Sequence, residues 1–173
     1  MNEKKYAKGE EGWLIWEAAV ALPTISLLLA AITAIFMYSV QSYLRSLAEA
    51  ELQQEIQLAF QRVVDDCSDG SKLEKFGDDN KSLVVVCSNG MLGTSYNLHK
   101  SNGVHKLIPY GNFRAPLTGD HAFADVDIKD FGFHEDKEGL YRIWLEGYSR
   151  KAGNKYYRLV TSIYLPPKKS EEL

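Results

Sequence analysis

The sequence has few of the residue patterns that mark catalytic or metal centres. Its 173 residues include only two cysteines, Cys67 and Cys87, and no further ligands are spaced around them as a zinc site requires. It contains no Gly-x-Ser-x-Gly, no His-Glu-x-x-His and no phosphate-binding loop. The formal net charge is only −3, which gives no electrostatic indication of nucleic-acid binding. We therefore expect a protein that is not an enzyme and that holds no cofactor or metal.

Charged residues are also nearly absent from one long stretch of the chain. Between Trp13 and Val40 the one charged residue is Glu17, and apart from two tyrosines the next ionisable side chain is Arg45. A helix over the uncharged part would span about 40 Å, more than the roughly 30 Å hydrocarbon core of a bilayer. The apolar run is longer than that of a secretory signal peptide, and it continues through small residues at which such a peptide would be cut. Residues 13–40 are therefore predicted to form a membrane helix that is retained.

Positive charge before this segment predicts its orientation. Lys4, Lys5 and Lys8 precede the apolar run. Under the positive-inside rule they place the N-terminus in the cytoplasm, while nearby acidic residues count for little. We expect a single-pass protein of the cell membrane whose remaining residues lie outside it.

The start of the apolar run carries a recognisable motif. It has a glycine at Gly12, a large hydrophobe at Trp13 and, after three more residues, a glutamate at Glu17. A carboxylate in an apolar membrane segment costs about 2.5–3.5 kcal/mol on insertion scales, so it usually has a role and a partner. The motif resembles the type IV prepilin processing site. An ordinary signal anchor with a glutamate near its cytoplasmic end is the alternative.

The resemblance implies a role for each of these residues. Prepilin peptidase, a membrane aspartyl peptidase, would cut between Gly12 and Trp13 and methylate the new amino terminus of Trp13. Glu17 would then be the assembly carboxylate, which pairs with the terminal amine of a neighbouring subunit in a filament. Other pilins or pseudopilins and an assembly platform membrane protein are the further partners that the resemblance implies.

Proline interrupts the predicted membrane helix once. Pro23 lacks a backbone donor and clashes with the preceding turn, which predicts a kink or local loss of helix. In pilin-like helices such a point lets a subunit bend as it leaves the bilayer. A passive kink is the alternative, with the freed carbonyl groups bonded by Thr24 or Ser26.

From Gln41 onward the pattern becomes amphipathic without a break. Apolar residues recur at steps of three and four, which predicts one helix from Trp13 to about Val64 with Gly70 as its stop. The predicted apolar stripe consists of Leu44, Leu47, Leu52, Ile56, Ala59, Phe60 and Val63.

Short alternating segments follow the helix and predict an antiparallel sheet. After a polar loop from Ser71 to Ser82, we expect strands at residues 83–87, 94–100, 104–108, 123–133, 140–148 and 156–165. A helix followed by strands indicates the α+β class, here a long, partly transmembrane N-terminal helix packed on a small antiparallel β-sheet head, as in pilins. The expected divisions are 1–12 leader, 13–40 transmembrane or filament-core helix, 41–66 amphipathic continuation, 67–165 globular head and 166–173 disordered tail.

The two cysteines are predicted to pair. An extracytoplasmic position favours a Cys67–Cys87 disulfide that ties the helix end to the first strand, with two buried thiols as the alternative. Together with Tyr96-Asn97-Leu98 and the Gly103-Val104-His105 step, these cysteines resemble the ComGF-type competence pseudopilins. That resemblance implies a minor subunit of a filament for DNA uptake, with DNA contacted only indirectly or weakly.

Two polar clusters in the head have less specific patterns. Asp125, Asp127 and Asp130 suggest calcium, but a solvated strand face is the better interpretation because the EF-hand glycine and glutamate are missing. A mildly basic hairpin could contact DNA, although a solvated turn is again favoured. The basic residues in and around this hairpin are His99, Lys100, His105, Lys106 and Arg114; two further histidines, His121 and His134, lack ligand-like spacing.

The sequence therefore predicts a structural subunit and leaves its system open. The leading hypothesis is a minor pilin or pseudopilin of a competence filament, and the alternatives are a minor pseudopilin of type II secretion and a minor pilin of a type IV pilus. A membrane-anchored extracytoplasmic binding domain is the hypothesis of another class, with an anchored hydrolase as a weaker third.

Overall fold

The computed structural model describes residues 7–75, 82–86, 91–101, 103–110, 116–118 and 123–166, with residues 7–12 and 14 described by their backbone only. The chain divides into two units, Met1–Leu44 and Arg45–Leu173. One long helix, α1 (Ala7–Ser68), contributes to both units. The described part of the first unit consists of this helix alone.

The helix is longer at both ends than the sequence predicts. It was expected from Trp13 to about Val64, whereas it begins at Ala7 and ends at Ser68. The C-terminal extension has a clear cause, because Cys67 lies one turn beyond Val63 and both side chains are fully buried. Cys67 therefore belongs to the helix and not to the start of the head. Gly70 follows the helix end as predicted, and its backbone N–H donates to the carbonyl oxygen of Cys67 over 3.1 Å.

The second unit contains seven strands in two antiparallel sheets, whereas the sequence predicted six strands in one sheet. The first sheet has the order β1-β2-β3-β4 and the second the order β5-β6-β7. The strands are β1 (Lys72–Glu74), β2 (Ser82–Val86), β3 (Leu92–Ser101), β4 (Val104–Tyr110), β5 (Asp127–Lys137), β6 (Leu140–Ser149) and β7 (Lys155–Tyr164). A helix with antiparallel sheets confirms the predicted α+β class.

The predicted strands are largely confirmed, with two corrections. The supposed loop from Ser71 to Ser82 contains β1, which pairs with β2. The strand expected from Phe123 begins only at Asp127 and extends to Lys137, because Asp125 has a φ of 47° and turns the chain there. The hairpin between β3 and β4 is confirmed, with Ser101 opposite Val104.

One core joins the helix to both sheets. Helix residues from Ala48 onward pack with alternating residues of the strands, as the predicted face of Tyr141, Ile143 and Leu145 illustrates. The predicted stripe is wrong at its start, since Leu44 and Leu47 are 40% and 37% exposed. The fully buried side chains include Leu52, Ile56, Val63, Leu83, Tyr96, Leu107, Ile128, Phe131, Ile143 and Leu145.

The helix and the second sheet approach each other closely at one glycine. A Cβ atom on Gly147 of β6 would lie 2.3 Å from Cδ1 of Ile56 and 3.4 Å from Cδ1 of Leu52. Any side chain at this position would force Ile56 to move, so glycine allows the close approach. Polar contacts fix the same side of the head, because Glu51 accepts a hydrogen bond from the backbone N–H of Ala124 over 2.9 Å.

Candidate functional site in the N-terminal helix

The first unit presents an apolar surface that no part of the described chain covers. Trp13, Trp16 and Leu27 are 75%, 70% and 72% exposed, and every other described side chain up to Leu47 is exposed as well. Exposed apolar patches of this extent mark membrane or protein interaction sites. Among the residues that the structure describes, this is the one helix long and apolar enough to cross a membrane.

Four serine and threonine hydroxyl groups of this segment are bonded within the helix itself. Each donates to the carbonyl oxygen four residues earlier, over 2.8 Å in every case. A hydroxyl bonded in this way can enter an apolar environment without leaving an unpaired donor. The four residues are Thr24, Ser26, Thr33 and Ser39.

Glu17 is the chemically distinctive residue of the segment. Its side chain is exposed, and within the described part of the chain it forms no hydrogen bond or ion pair. It lies four residues after Trp13, so both residues share one face of the helix about one turn apart. A carboxylate in such an apolar surface needs a cation from outside this helix if the surface becomes covered.

The proposed cut lies between two helical residues. Gly12 and Trp13 are both within α1, although the side-chain surroundings of residue 12 are outside the described part. The helix also continues through Pro23, so the predicted local loss of helix is not seen, and the kink stays a prediction. Neither neighbouring hydroxyl bonds the carbonyl oxygen of Ala19, which loses its donor at Pro23; Thr24 bonds Val20 and Ser26 bonds Leu22.

Comparison with known proteins finds no matching family model, no matching curated protein and no matching solved structure.

The predicted disulfide has one end in the described chain. Cys67 is buried in the core as a free thiol, and Cys87 lies outside the described residues, so the structure does not show the pairing, which stays a prediction. Burial and then the nearby charge of Asp66 raise the pKa of the Cys67 thiol to about 12. A buried thiol with a raised pKa is a poor nucleophile.

The three aspartates suggested for calcium bind protein groups instead. Asp125 forms an ion pair with Lys151 over 3.0 Å, and Asp130 accepts a hydrogen bond from Nε1 of Trp144 over 2.8 Å. No group of three or more potential metal ligands occurs among the described residues. The aspartates therefore have separate partners and do not form one oxygen cluster.

Asp127 links the two sheets. Its carboxylate accepts the backbone N–H of His105 over 2.8 Å, lies 3.2 Å from Nδ1 of that histidine and pairs with Lys129. Partial burial raises the pKa of Asp127, but the hydrogen bonds from Lys129 and His105 outweigh it and lower the pKa overall. Asp127 is therefore a structural anion that holds β4 against β5.

The basic hairpin is not a single basic surface. His99 and Lys100 are exposed on β3, whereas His105 and Lys106 are half-buried on β4 and His105 faces Asp127. Arg114 and His121 lie outside the described residues, and His134 is exposed on β5. This geometry gives no specific support to a DNA contact.

An open cleft of about 660 Å³ lies where three turns of the head meet. Its volume is within the range of small-molecule sites. Both signs of charge are present, although Asp125 and Asp127 already have partners. The lining residues are Ser101, Gly103, Val104, Lys106, Asp125, Val126, Asp127, Tyr148, Arg150 and Lys151.

One buried polar contact escaped the sequence analysis. The hydroxyl of Tyr96, which is fully buried in β3, donates to Oδ2 of Asp66 near the end of α1. The two residues are thirty positions apart in the sequence, and Asp66 lies in a polar stretch that the sequence predicts to be the end of the helix. Only the tertiary fold brings them together, so no local pattern could have indicated the pair.

Proposed function

We propose that the chain is the precursor of a minor pilin or pseudopilin, a structural subunit of a type IV pilus-like filament. One observation supports this most directly: a single unpartnered carboxylate, Glu17, stands in an otherwise apolar and uncovered helical surface, one turn after Trp13. A head built from the end of the same helix and antiparallel sheets is consistent with a pilin-like layout.

The proposed course begins with membrane insertion, N-terminus inward. Prepilin peptidase cuts after Gly12, and the new Trp13 terminus carries an ammonium group. In the filament the apolar helices cover one another, and the ammonium of one subunit neutralises Glu17 of its neighbour. Such pairing removes the cost of an isolated buried charge, which is several kcal/mol.

Within this class we favour a competence filament for DNA uptake. The ground for that choice is the sequence resemblance to ComGF-type pseudopilins, carried by Cys67, Cys87, Tyr96-Asn97-Leu98 and Gly103-Val104-His105. The role would be structural, at the start or tip of a filament, with DNA contacted only indirectly or weakly. A pseudopilin of type II secretion and a minor pilin of a type IV pilus are the other members of the class.

The deciding experiment is the intact mass of the full chain after expression with and without a prepilin peptidase. We expect loss of residues 1–12 and a Trp13 terminus, with or without one added methyl group, only when the peptidase is active. A Gly12→Leu variant, whose side chain would block the cut, serves as the control. A chain that keeps its leader beside an active peptidase contradicts the proposal.

Glu17→Gln tests the assembly step separately. The amide keeps the size of the side chain but removes its charge, so insertion and cutting should be unchanged. Loss of the pair inside a helix bundle should cost about 3–5 kcal/mol and strongly reduce incorporation into filaments. Normal incorporation of the variant would refute charge pairing while leaving the processing result intact.

The cleft in the head favours one second candidate, a membrane-anchored binding domain that is never cut. If the chain is such a domain, the intact-mass experiment should find residues 1–12 still attached beside an active peptidase. Under that outcome the cleft, with Lys106 and Arg150 at its wall, becomes the first place to look for a ligand.

A further inference from the structure

The last strand of the head leaves a long sheet edge open. β7 pairs with β6 over ten consecutive positions, from Lys155 opposite Ser149 to Tyr164 opposite Leu140, without a register shift. Among the described residues no strand pairs with its other edge. The unpaired backbone groups of such an edge are a template for another strand.

The other sheet boundaries are short or occupied. β1 has only three residues. Leu107 of β4 bonds the backbone of Leu117 over 2.9 Å, and the same strand meets β5 through Asp127. β5 is the other edge strand of the second sheet and contacts β4 at its first residue, Asp127. Within the described part of the head, β7 is therefore a long edge that has no such contact with a neighbouring strand.

β7 also has few of the usual protections of an edge strand, and the inward charge among them, Lys155, lies at its very first position. Natural edges are shortened, bulged, interrupted by proline or given inward-pointing charges. β7 has ten residues, no proline and no bulge. Its two charged residues lie on opposite faces. Lys155, at the first position, is on the helix-facing side with its Nζ 2.5 Å from Glu49, and Arg158 is on the outward face, 3.8 Å from Glu146.

The outward face of β7 is nearly symmetric about its middle. Tyr156, Val160 and Tyr164 are 62%, 52% and 63% exposed, and Arg158 and Ser162 stand between them. Reading outward from Val160 in either direction gives one polar residue and then one tyrosine. An antiparallel copy of the same strand meets this order in reverse.

We propose that two copies of the chain pair through β7, antiparallel about a two-fold axis at Val160, to form one continuous six-stranded sheet. This register sets Val160 opposite itself and Tyr156 opposite Tyr164 of the second copy. Arg158 faces Ser162, so no like charges oppose each other. The two neighbouring registers instead set Val160 opposite Arg158 or Ser162 and break the tyrosine pairs.

The pairing continues apolar rows that already cross the sheet. Within one copy the rings of Tyr148 and Tyr156 are 4.8 Å apart, and Trp144 is directly opposite Val160. When the second copy pairs, the row of Tyr148 and Tyr156 continues to Tyr164 of the second copy. The Trp144–Val160 pairs of the two copies meet at Val160 and form one row across the joined sheet. Cross-strand aromatic and β-branched pairs of this kind stabilise sheets. The pairing does not depend on processing at Gly12.

Cysteine cross-linking of the full chain in membranes tests the register. Directly opposed residues of an antiparallel pair have Cα atoms about 4.5–5.5 Å apart, which suits a disulfide. Val160→Cys should therefore cross-link to itself under mild oxidation. Two Ser162→Cys chains should not cross-link to each other, because their cysteines would be about 13 Å apart along the strands. Two Arg158→Cys chains should also fail to cross-link, for the same reason. A mixture of these two variants should give cross-linked heterodimers only.

A charge swap tests whether the contact holds the copies together. The full chain in detergent should have the mass of a dimer, and Val160→Lys, which opposes two like charges, should halve that mass. Mixing Val160→Lys with Val160→Glu should restore the dimer, and Val160→Thr should leave it unchanged. A native near-ultraviolet circular dichroism spectrum of the Lys variant, whose position is 52% exposed, shows that the head remains folded after the dimer is lost.

Several outcomes would overturn the pairing. A Val160→Lys protein with the wild-type mass would mean that another surface, including the apolar helix, joins the copies or that none does. Self-cross-linking of Ser162→Cys would assign another register. Cross-linking of Val160→Cys to a different protein would assign the edge to a foreign strand.

Discussion

Replacing Tyr96 by Phe isolates one hydrogen bond in the core of the head. The ring of Tyr96 is fully buried and lies edge-on to Phe131, with ring centroids 6.5 Å apart. Phenylalanine keeps that packing and removes only the hydroxyl that donates to Asp66. Hydrogen bonds to charged groups contribute about 1.5–3 kcal/mol. Because Asp66 is half-buried and can regain water, we expect a loss of about 1.5–2 kcal/mol at pH 8.

The same substitution should change the response to alkaline pH. Burial, followed by the hydrogen bond to Asp66, raises the pKa of Tyr96 above its ordinary value. Above pH about 10 the unfolded chain loses the tyrosine proton while the folded chain keeps it, so wild-type stability falls with rising pH. This one residue contributes up to about 1.4 kcal/mol per pH unit. The advantage of the wild type over Tyr96→Phe should therefore shrink from about 2 kcal/mol at pH 8 to about 0.5 kcal/mol at pH 11.

Urea unfolding of both full-length proteins in detergent, followed by near-ultraviolet circular dichroism from pH 8 to pH 11, measures this difference. Tyr164→Phe is the matched control, because its ring is 63% exposed and its substitution should cost less than about 0.5 kcal/mol. Equal stability of Tyr96→Phe and wild type at pH 8 would refute the hydrogen-bond argument. A difference that stays constant to pH 11 would refute the raised pKa.

Two further predictions concern the hairpin between β5 and β6 and the cysteines. Gly139→Ala should destabilise the head by about 2–4 kcal/mol, because φ is +75° and a Cβ would lie 2.4 Å from the carbonyl oxygen of Leu165. Gly103→Ala is the control: its φ is +82° but no atom lies within 4 Å of the added Cβ, so it should cost only about 1–2 kcal/mol. Thermal unfolding of both variants measures the two losses. Equal losses would disprove the clash. Purified protein should take up no alkylating reagent at Cys67 or Cys87 after denaturation without reductant, and reduction should lower stability by about 3 kcal/mol for a loop of this length. Alkylation of both residues without reductant would show thiols.

Periodicity predicted those parts of the fold in which one face is buried over several turns or residues. The helix stripe from Leu52 to Val63 and the alternation of β6 are examples, since burial there follows a period of 3.6 or 2. Periodicity predicted the wrong strand start at β5, because the alternation of buried and exposed residues continues before the strand begins. Val126 is as buried as Ile128, yet the strand begins only after the left-handed residue Asp125.

Elements below a certain length give no usable pattern. β1 has one apolar residue, Leu73, between Lys72 and Glu74, and three residues cannot distinguish a strand from a polar loop. At the start of the buried helix face, the pattern predicted that Leu44 and Leu47 are buried, whereas the first buried residue in the structure is Ala48. Which of several neighbouring apolar residues is covered depends on where the sheets end, and that is a tertiary property.

The candidate site could be predicted almost entirely because its distinctive features are local. An apolar run, its one carboxylate and the glycine before it are sequence facts, and the structure adds that the surface is uncovered and that Glu17 has no partner in the described chain. The open edge of β7 was different. Predicting its strand from sequence was possible, but knowing that it lies last in its sheet required the strand order.

The position of Glu17 gives the proposed cut a physical consequence for assembly. Before processing, the carboxylate lies near the start of the apolar segment, where water and headgroups can reach it. Inside a bundle of such helices it would have neither, and the uncut chain offers no cation between Trp13 and Arg45 to neutralise it. Cutting after Gly12 supplies that cation at Trp13. In the proposed filament, processing therefore does more than remove a leader, because it creates the charge that makes burial of Glu17 favourable and so restricts assembly to chains that have been cut.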